Sequence, residues 1–174
     1  MVASMQQQES IRQAGEDLFN FAIEREDVKW LMAHLSPSAK VKITTLEYEL
    51  QILKIISVGW SIAYYLTGMQ DCKAALETLF WNAVNHFSKQ LSETTGLMIG
   101  QDIDYFEILK KRLDQYVQAM HDDLQAQEPA AVIGPVFAGL CGETDDLFAA
   151  MAGSKMFHST TVRVRRYLEA LELQ

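Results

Sequence analysis

Apolar residues recur at helical spacing along most of the chain. Between residues 8 and 35 they fall three, four and seven positions apart, which places them on one face of a helix. The charged run 24–27 interrupts this stretch and marks a break or a bend. Pro37 ends the stretch, because the residue before a proline avoids helical dihedral angles. The pattern therefore predicts a first long helix with a bend in its second half.

A second helix is predicted over residues 44–67. Thr44 or Thr45 is a suitable N-cap, and Gly68 suits the left-handed residue just past a helix end. The second half, residues 55–66, is apolar on nearly every side. Such a helix is either surrounded by other helices or lies in an oligomer interface.

Two further long helices follow. The third is predicted over residues 71–95, with Asp71 as N-cap and Gly96 at its end. The connection 96–100 is apolar for a loop, so we expect it to be tucked against the core. The fourth begins after Asp104, which with Glu107 resembles a capping box, and it ends before Pro129.

The last 45 residues are interrupted more often. Gly134-Pro135 suits a helix start, and Thr144 can cap a short helix that ends before Gly153. A final helix is predicted over residues 160–173. The sum is an all-α fold, an up-down bundle of four long helices with two or three shorter C-terminal helices, and residues 1–174 form a single domain.

Composition places the chain among acidic cytoplasmic proteins. The net charge is −8, and eleven acidic but only three basic side chains lie between Glu93 and Asp146. This acidity disfavours nucleic acid and leaves a basic protein as a possible partner. The N-terminal residues lack the pattern of a secretory signal, and the longest uncharged run, residues 55–70, is too short and polar to span a membrane. The two cysteines fit a reducing compartment.

Signatures of metal sites, cofactor sites and catalytic sites are missing from the sequence. There is no Glu-x-x-His pair, no phosphate-binding glycine motif and no Cys-x-x-Cys spacing. We therefore expect no metal and no cofactor. A carboxylate–magnesium hydrolase built on Glu24, Asp27, Glu143 and Asp146 is the weakest of three functional hypotheses.

Two sets of side chains are candidate sites. Aromatic residues crowd the end of the second helix and the third helix, where they could fill the core, form an interface or line a pocket: Trp60, Tyr64, Tyr65 and Trp81. Three arginines near the C-terminus could hold an anion or form a solvated helix face: Arg163, Arg165 and Arg166.

The leading functional hypothesis is a non-enzymatic protein that acts through protein–protein contacts as a homo-oligomer. Its basis is the all-round apolar second helix with its flanking aromatic residues. The alternative is a helical binder or sensor of an apolar or planar small molecule, held between the second and third helices.

Overall fold

The structure is a computed structural model that describes residues 2–66, 70–123 and 128–171. These residues form seven helices and no strand, so the predicted all-α class is confirmed. The helices are α1 (Val2–Ile23), α2 (Glu26–Ala33), α3 (Ile43–Tyr65), α4 (Gln70–Ile99), α5 (Tyr105–Asp122), α6 (Pro129–Leu140) and α7 (Leu147–Ala170). None of the helices in the described ranges combines the length and the apolar character that a membrane crossing needs.

Helix α3 is the central element and contacts α1, α2, α4, α5 and α7. Thirteen of its 23 residues are buried. Each fully buried leucine, such as Leu46, Leu50 or Leu53, contributes about 1.5–3 kcal/mol through the hydrophobic effect. Most of the apolar surface of α3 is thus covered by helices of the same chain, whereas Ile43 and Tyr64 near its two ends are exposed.

The bend predicted in the first helix is confirmed as the gap between α1 and α2. The fully buried side chain of Lys54, on α3, faces this gap. Its Nζ donates a hydrogen bond to the main-chain oxygen of Glu24 at 2.8 Å and lies 2.9 Å from Oδ2 of Asp27. The Glu24 carbonyl, just past the end of α1, therefore finds its hydrogen-bond donor on α3.

The helix caps follow the predictions only in part. Lys42 occupies the N-cap position of α3, so neither predicted threonine caps that helix. Asp71 lies in the first turn of α4 rather than at its cap. The Asp104 side chain does cap α5, accepting a hydrogen bond from the main-chain N–H of Glu107 at 3.0 Å.

The predicted end of the third helix is wrong. Helix α4 continues through Gly96 to Ile99 and stops at Gly100, which has a φ of 66°. This left-handed backbone suits glycine and ends the helix. Leu97 is 90% exposed instead of tucked against the core, because the last turn extends beyond the neighbouring helices. Gly68, predicted to end the second helix, lies outside the described residues.

The C-terminal third contains one long helix where two short ones were expected. Helix α7 runs for 24 residues through Gly153, and Asp146 caps it instead of Thr144. Likewise α6 begins at Pro129, and Gly134-Pro135 lies inside it. The predicted four long helices with shorter C-terminal ones therefore do not describe this end of the chain.

The glycines that suggested breaks are contact points between α6 and α7. A Cβ added at Gly134 would lie 2.3 Å from Oγ of Ser154, and one at Gly153 would lie 2.6 Å from the Phe137 side chain. Both distances are too short for a side chain, so these glycines let the two helices pack closely. Sequence alone does not distinguish a glycine of this kind from one that ends a helix.

Candidate ligand-binding site

Three of the four predicted aromatic residues form one cluster where α3 meets α7. The Trp60 and Tyr64 rings stack with centroids 4.6 Å apart, and Tyr65 meets Trp60 edge to face at 6.0 Å. Phe157 of α7 packs against Trp60 at 5.2 Å. Trp60 and Tyr65 are partly buried against the core, whereas Tyr64 is 58% exposed.

Trp81 does not belong to this cluster. It lies on α4 and its ring covers Gly59 of α3, where an added Cβ would be 2.2 Å from Cζ2 of the ring. Successive helix residues point about 100° apart, so Gly59 contacts α4 whereas Trp60 contacts α7. The aromatic set therefore divides into two packing contacts and does not line the cavity described below.

The three arginines have separate environments. Arg163 pairs with Asp27 through distances of 2.8 and 3.0 Å and lies over the Phe21 ring at 4.5 Å. Arg165 pairs with Glu169, 3.2 Å away and one turn later, and Arg166 is exposed. An anion at Arg163 would have to compete with the Asp27 carboxylate.

Arg163 also lines a hollow of about 240 Å³ between α1 and α7. Asp17 lies in the same hollow and accepts hydrogen bonds from the Tyr167 hydroxyl at 2.7 Å and from Gln13 at 2.9 Å. These two bonds hold the pKa of Asp17 below its usual value. A second carboxylate beside Arg163 makes this hollow a poor site for an anion.

A larger cavity, of about 360 Å³, lies between α3, α4, α5 and the residues that join α1 to α2. It is open to solvent on one side. Its apolar wall is made by six side chains from four helices: Ile23, Ile52, Ile55, Phe87, Leu91 and Leu109. Ligand cavities in proteins are typically 300–1,000 Å³ and lined mainly by apolar groups.

Two tyrosines form an aromatic part of the same wall. The Tyr48 and Tyr105 rings lie 6.3 Å apart at an angle of 58°. Burial, with a smaller contribution from the nearby Glu49, raises the pKa of Tyr48 to about 12. The phenol of Tyr48 is therefore neutral at physiological pH. The Tyr105 hydroxyl lies 3.2 Å from Oγ1 of Thr95.

The polar side of the cavity contains an ion pair and an amide. Arg25, from the connection between α1 and α2, pairs with Glu47 of α3. Gln51 lies one turn further along α3 and donates a hydrogen bond from Nε2 to the main-chain oxygen of Ala22 at 2.8 Å. The Oε1 atom of Gln51 is buried and has no hydrogen-bond partner among the described residues.

This site was not predicted from the sequence, although the sequence contains a signal of it. Tyr48, Gln51, Ile52 and Ile55 follow the spacing i, i+3, i+4, i+7, so they share one face of α3. A glutamine on an otherwise apolar and aromatic face is the unusual feature. Only the structure shows that α4 and α5 leave a space in front of that face.

A second polar group is centred on Glu49, a buried side chain of α3. Arg112 of α5 donates two hydrogen bonds to the buried Glu49 carboxylate, at 2.7 and 3.0 Å. Burial raises the pKa of Tyr116 far above its usual value and that of Cys141 to about 12, and Glu49 adds to both shifts. The Cys141 thiol is therefore protonated at neutral pH, and the group holds α5 against α3 rather than supplying a nucleophile.

Two of the four carboxylates of the magnesium hypothesis, Asp27 and Asp146, have other partners. Asp27 is paired with Lys54 and Arg163. Asp146 accepts four main-chain hydrogen bonds, from Lys40, Val41 and the first turn of α7. Within residues 2–66, 70–123 and 128–171, no three His, Cys, Asp or Glu side chains lie close enough to hold a metal ion.

Comparisons with protein families, curated proteins and solved structures give no match for this chain. The geometry of the described residues is therefore the basis for the functional proposal that follows.

Proposed function

We propose that this protein binds a small, mainly apolar, planar molecule in the cavity between α3, α4 and α5. The observation that carries the proposal is a cavity of about 360 Å³ whose wall is mainly apolar and aromatic. This is the alternative hypothesis of the sequence analysis, now located at a different end of the same two helices.

The size of the cavity suits a ligand of two fused rings. An engineered cavity of about 150 Å³ holds one benzene molecule, so about 360 Å³ accommodates a naphthalene-sized ligand. The faces of Tyr48, Phe87 and Tyr105 offer offset or edge-to-face contacts to such a ring. Binding or sensing, rather than catalysis, fits a cavity whose one acid, Glu47, is paired with Arg25.

The test is a titration with naphthalene, followed by its fluorescence or by the side-chain methyl resonances. Leu91→Trp places an indole ring in the cavity and should weaken binding at least tenfold. Leu79→Trp is the matched control, because Leu79 lies on the same helix, is 40% exposed against 41% for Leu91, and does not line this cavity. We expect the control to bind as the wild type does.

Two results would contradict the proposal. One is an absence of saturable binding to naphthalene and its simple derivatives. The other is equal binding by wild type and Leu91→Trp, which would locate the ligand elsewhere.

Self-association, the leading hypothesis of the sequence analysis, is a second candidate function. It draws less support from α3 than the sequence suggested, because 13 of the 23 residues of that helix are buried within the chain. It draws support from the last turn of α4, where Leu97, Met98 and Ile99 are 90%, 78% and 58% exposed. Adjacent apolar side chains at this exposure are typical of contact surfaces.

Analytical ultracentrifugation over a wide concentration range tests this second candidate. A wild-type dimer that Leu97→Glu converts to monomer would support it. Leu147→Glu, at a side chain 74% exposed on α7, is the control and should leave the dimer intact. A wild-type protein that stays monomeric throughout would rule the candidate out.

A further inference from the structure

The cavity between α3, α4 and α5 has two charged residues in its lining, Arg25 and Glu47. Both are accessible to solvent, because their side chains are 55% and 36% exposed. By contrast, Ile52, Ile55 and Leu109 of the apolar wall are buried. The two charges therefore lie at the open side of the cavity, where an entering molecule can reach them.

The ion pair leaves much of the binding capacity of both groups unused. Among the described residues, its one hydrogen bond joins Nη2 of Arg25 to Oε1 of Glu47. A guanidinium group has five N–H donors, and a carboxylate has two acceptor oxygens. The remaining donors and the second oxygen can therefore bind another molecule while the pair stays intact.

A ligand with a single charge would disturb this pair. A carboxylate placed at Arg25 would lie beside the Glu47 carboxylate, and an ammonium group placed at Glu47 would lie beside the guanidinium. A head group that carries both charges avoids this repulsion. Its carboxylate can bind Arg25 while its ammonium group binds Glu47, so that two antiparallel ion pairs lie side by side.

The wall behind the ion pair suits the rest of such a molecule. Tyr48, Phe87 and Tyr105 offer aromatic faces to a ring, and the phenol of Tyr48 adds no charge because burial raises its pKa to about 12. An aromatic amino acid carries its two charges one CH₂ group away from its ring. The ring can therefore enter the cavity while the head group stays at the opening and keeps part of its hydration.

We propose that the cavity binds a free aromatic amino acid, with its ring against the apolar wall, its carboxylate on Arg25 and its ammonium group on Glu47. The inference rests on the proposed function and adds the chemical class of the ligand to it. L-tryptophan is the first probe, because its indole consists of two fused rings, the size that a cavity of about 360 Å³ accommodates.

The test compares four probes that share the indole ring. L-tryptophan carries both charges, tryptamine only the ammonium group, indole-3-propionate only the carboxylate, and 3-methylindole neither. Isothermal titration calorimetry measures the four dissociation constants. We expect the wild type to bind L-tryptophan about fivefold more tightly than either singly charged probe, as one ion pair at an exposed site predicts. This preference should shrink in 1 M NaCl.

A double variant, Arg25→Met with Glu47→Gln, removes both charges from the opening. Its dissociation constant for 3-methylindole should stay at the wild-type value, whereas that for L-tryptophan should rise about fivefold. Arg12→Met with Glu16→Gln is the matched control. It removes an ion pair of α1 whose side chains are 49% and 53% exposed and do not line this cavity, so all four dissociation constants should stay unchanged.

A second measurement needs no variant. The exchange of the Arg25 Nε–H proton with water, followed by NMR, should slow when L-tryptophan is added and stay unchanged with 3-methylindole. The methyl resonances of Ile52 and Ile55 should move with both probes, because both rings enter the same cavity.

The outcomes separate the two proposals. A double variant that binds L-tryptophan as the wild type does would overturn the head-group assignment and leave the proposed function standing. Tighter binding of tryptamine or indole-3-propionate than of L-tryptophan by the wild type would overturn the class of ligand. Failure of both 3-methylindole and naphthalene to bind would overturn the proposed function itself.

Discussion

At the scale of single residues, the most informative side chain is Lys54. It is fully buried at the centre of α3, where an isolated ammonium group would be strongly unfavourable. Three neighbours compensate for its burial: the Asp27 carboxylate, the Glu24 carbonyl and the face of the Phe21 ring, 4.3 Å from Nζ. Lys54 thereby joins α3 to the break between α1 and α2.

Lys54→Met should lower the free energy of unfolding by about 2 kcal/mol. The loss comes mainly from the Glu24 carbonyl, because Asp27 keeps Arg163 as a partner. Lys29→Met is the control, since Lys29 is an exposed lysine that also pairs with an acid of α2, and it should change stability by less than about 0.5 kcal/mol. Urea denaturation measures both, and equal effects would contradict this role for Lys54.

At the scale of elements, the helix ends depend on contacts that are distant in sequence. Asp146 caps α7 with Oδ1, and its Oδ2 accepts hydrogen bonds from the main-chain N–H groups of Lys40 and Val41, at 2.6 and 3.1 Å. One carboxylate therefore fixes the start of α7 and the connection between α2 and α3. Burial raises the pKa of Asp146, but the four hydrogen bonds outweigh it and lower the pKa overall.

Asp146→Asn should lower the free energy of unfolding by about 2 kcal/mol at pH 7, because the amide nitrogen faces two N–H donors. A lowered native pKa means that this stabilisation is present above the ordinary pKa, about 3.9, and is lost as pH falls through the native value. The stability gap between wild type and variant should therefore narrow below about pH 4 in denaturation curves.

Asp104→Asn is the control for this prediction. Asp104 also caps a helix but accepts only the one bond from Glu107, and asparagine is an equally good N-cap. A constant gap for Asp146→Asn at every pH, or an equal loss for Asp104→Asn, would contradict the assignment.

The close contact between α3 and α4 also depends on the absence of a side chain at Gly59. Gly59→Ala would place a methyl group 2.2 Å from the Trp81 ring, so the ring has to move. We expect a loss of about 1–3 kcal/mol and a shift in Trp fluorescence. Gly139→Ala, on α6 with no atom within 4 Å of the added Cβ, should be neutral or stabilise by less than about 1 kcal/mol. Thermal denaturation compares the two.

At the scale of the whole molecule, α3 performs two tasks. One part of its surface is packed against α1, α2 and α7, and the face that carries Tyr48 and Gln51 borders the cavity toward α4 and α5. A ligand in that cavity would contact α3, α4 and α5 at the same time. Ligand binding and global stability should therefore be linked.

At a free naphthalene concentration ten times its dissociation constant, the free energy of unfolding should rise by about 1.4 kcal/mol. The rise should vanish in Leu91→Trp and persist in Leu79→Trp. A rise of the same size in Leu91→Trp would show that the probe stabilises the protein from another site.

The sequence by itself determined the helical class, the break or bend near residue 24, the Asp104 cap and the apolar stretch 55–66, most of which is buried. Each of these depends on local periodicity or on groups within one turn of each other. Gly96, Gly134 and Gly153 misled the prediction, because glycine serves equally to end a helix and to admit a close neighbour.

Only the tertiary structure decided the site. Tyr48, Gln51 and Ile55 on α3 follow the same spacing as residues that pack in a core. Trp60 and Trp81 are aromatic, as residues that line a ligand pocket often are. Whether a face is packed or borders a space depends on where other helices pass, and that is set by contacts tens of residues apart, such as Lys54 with Asp27 and Glu49 with Arg112.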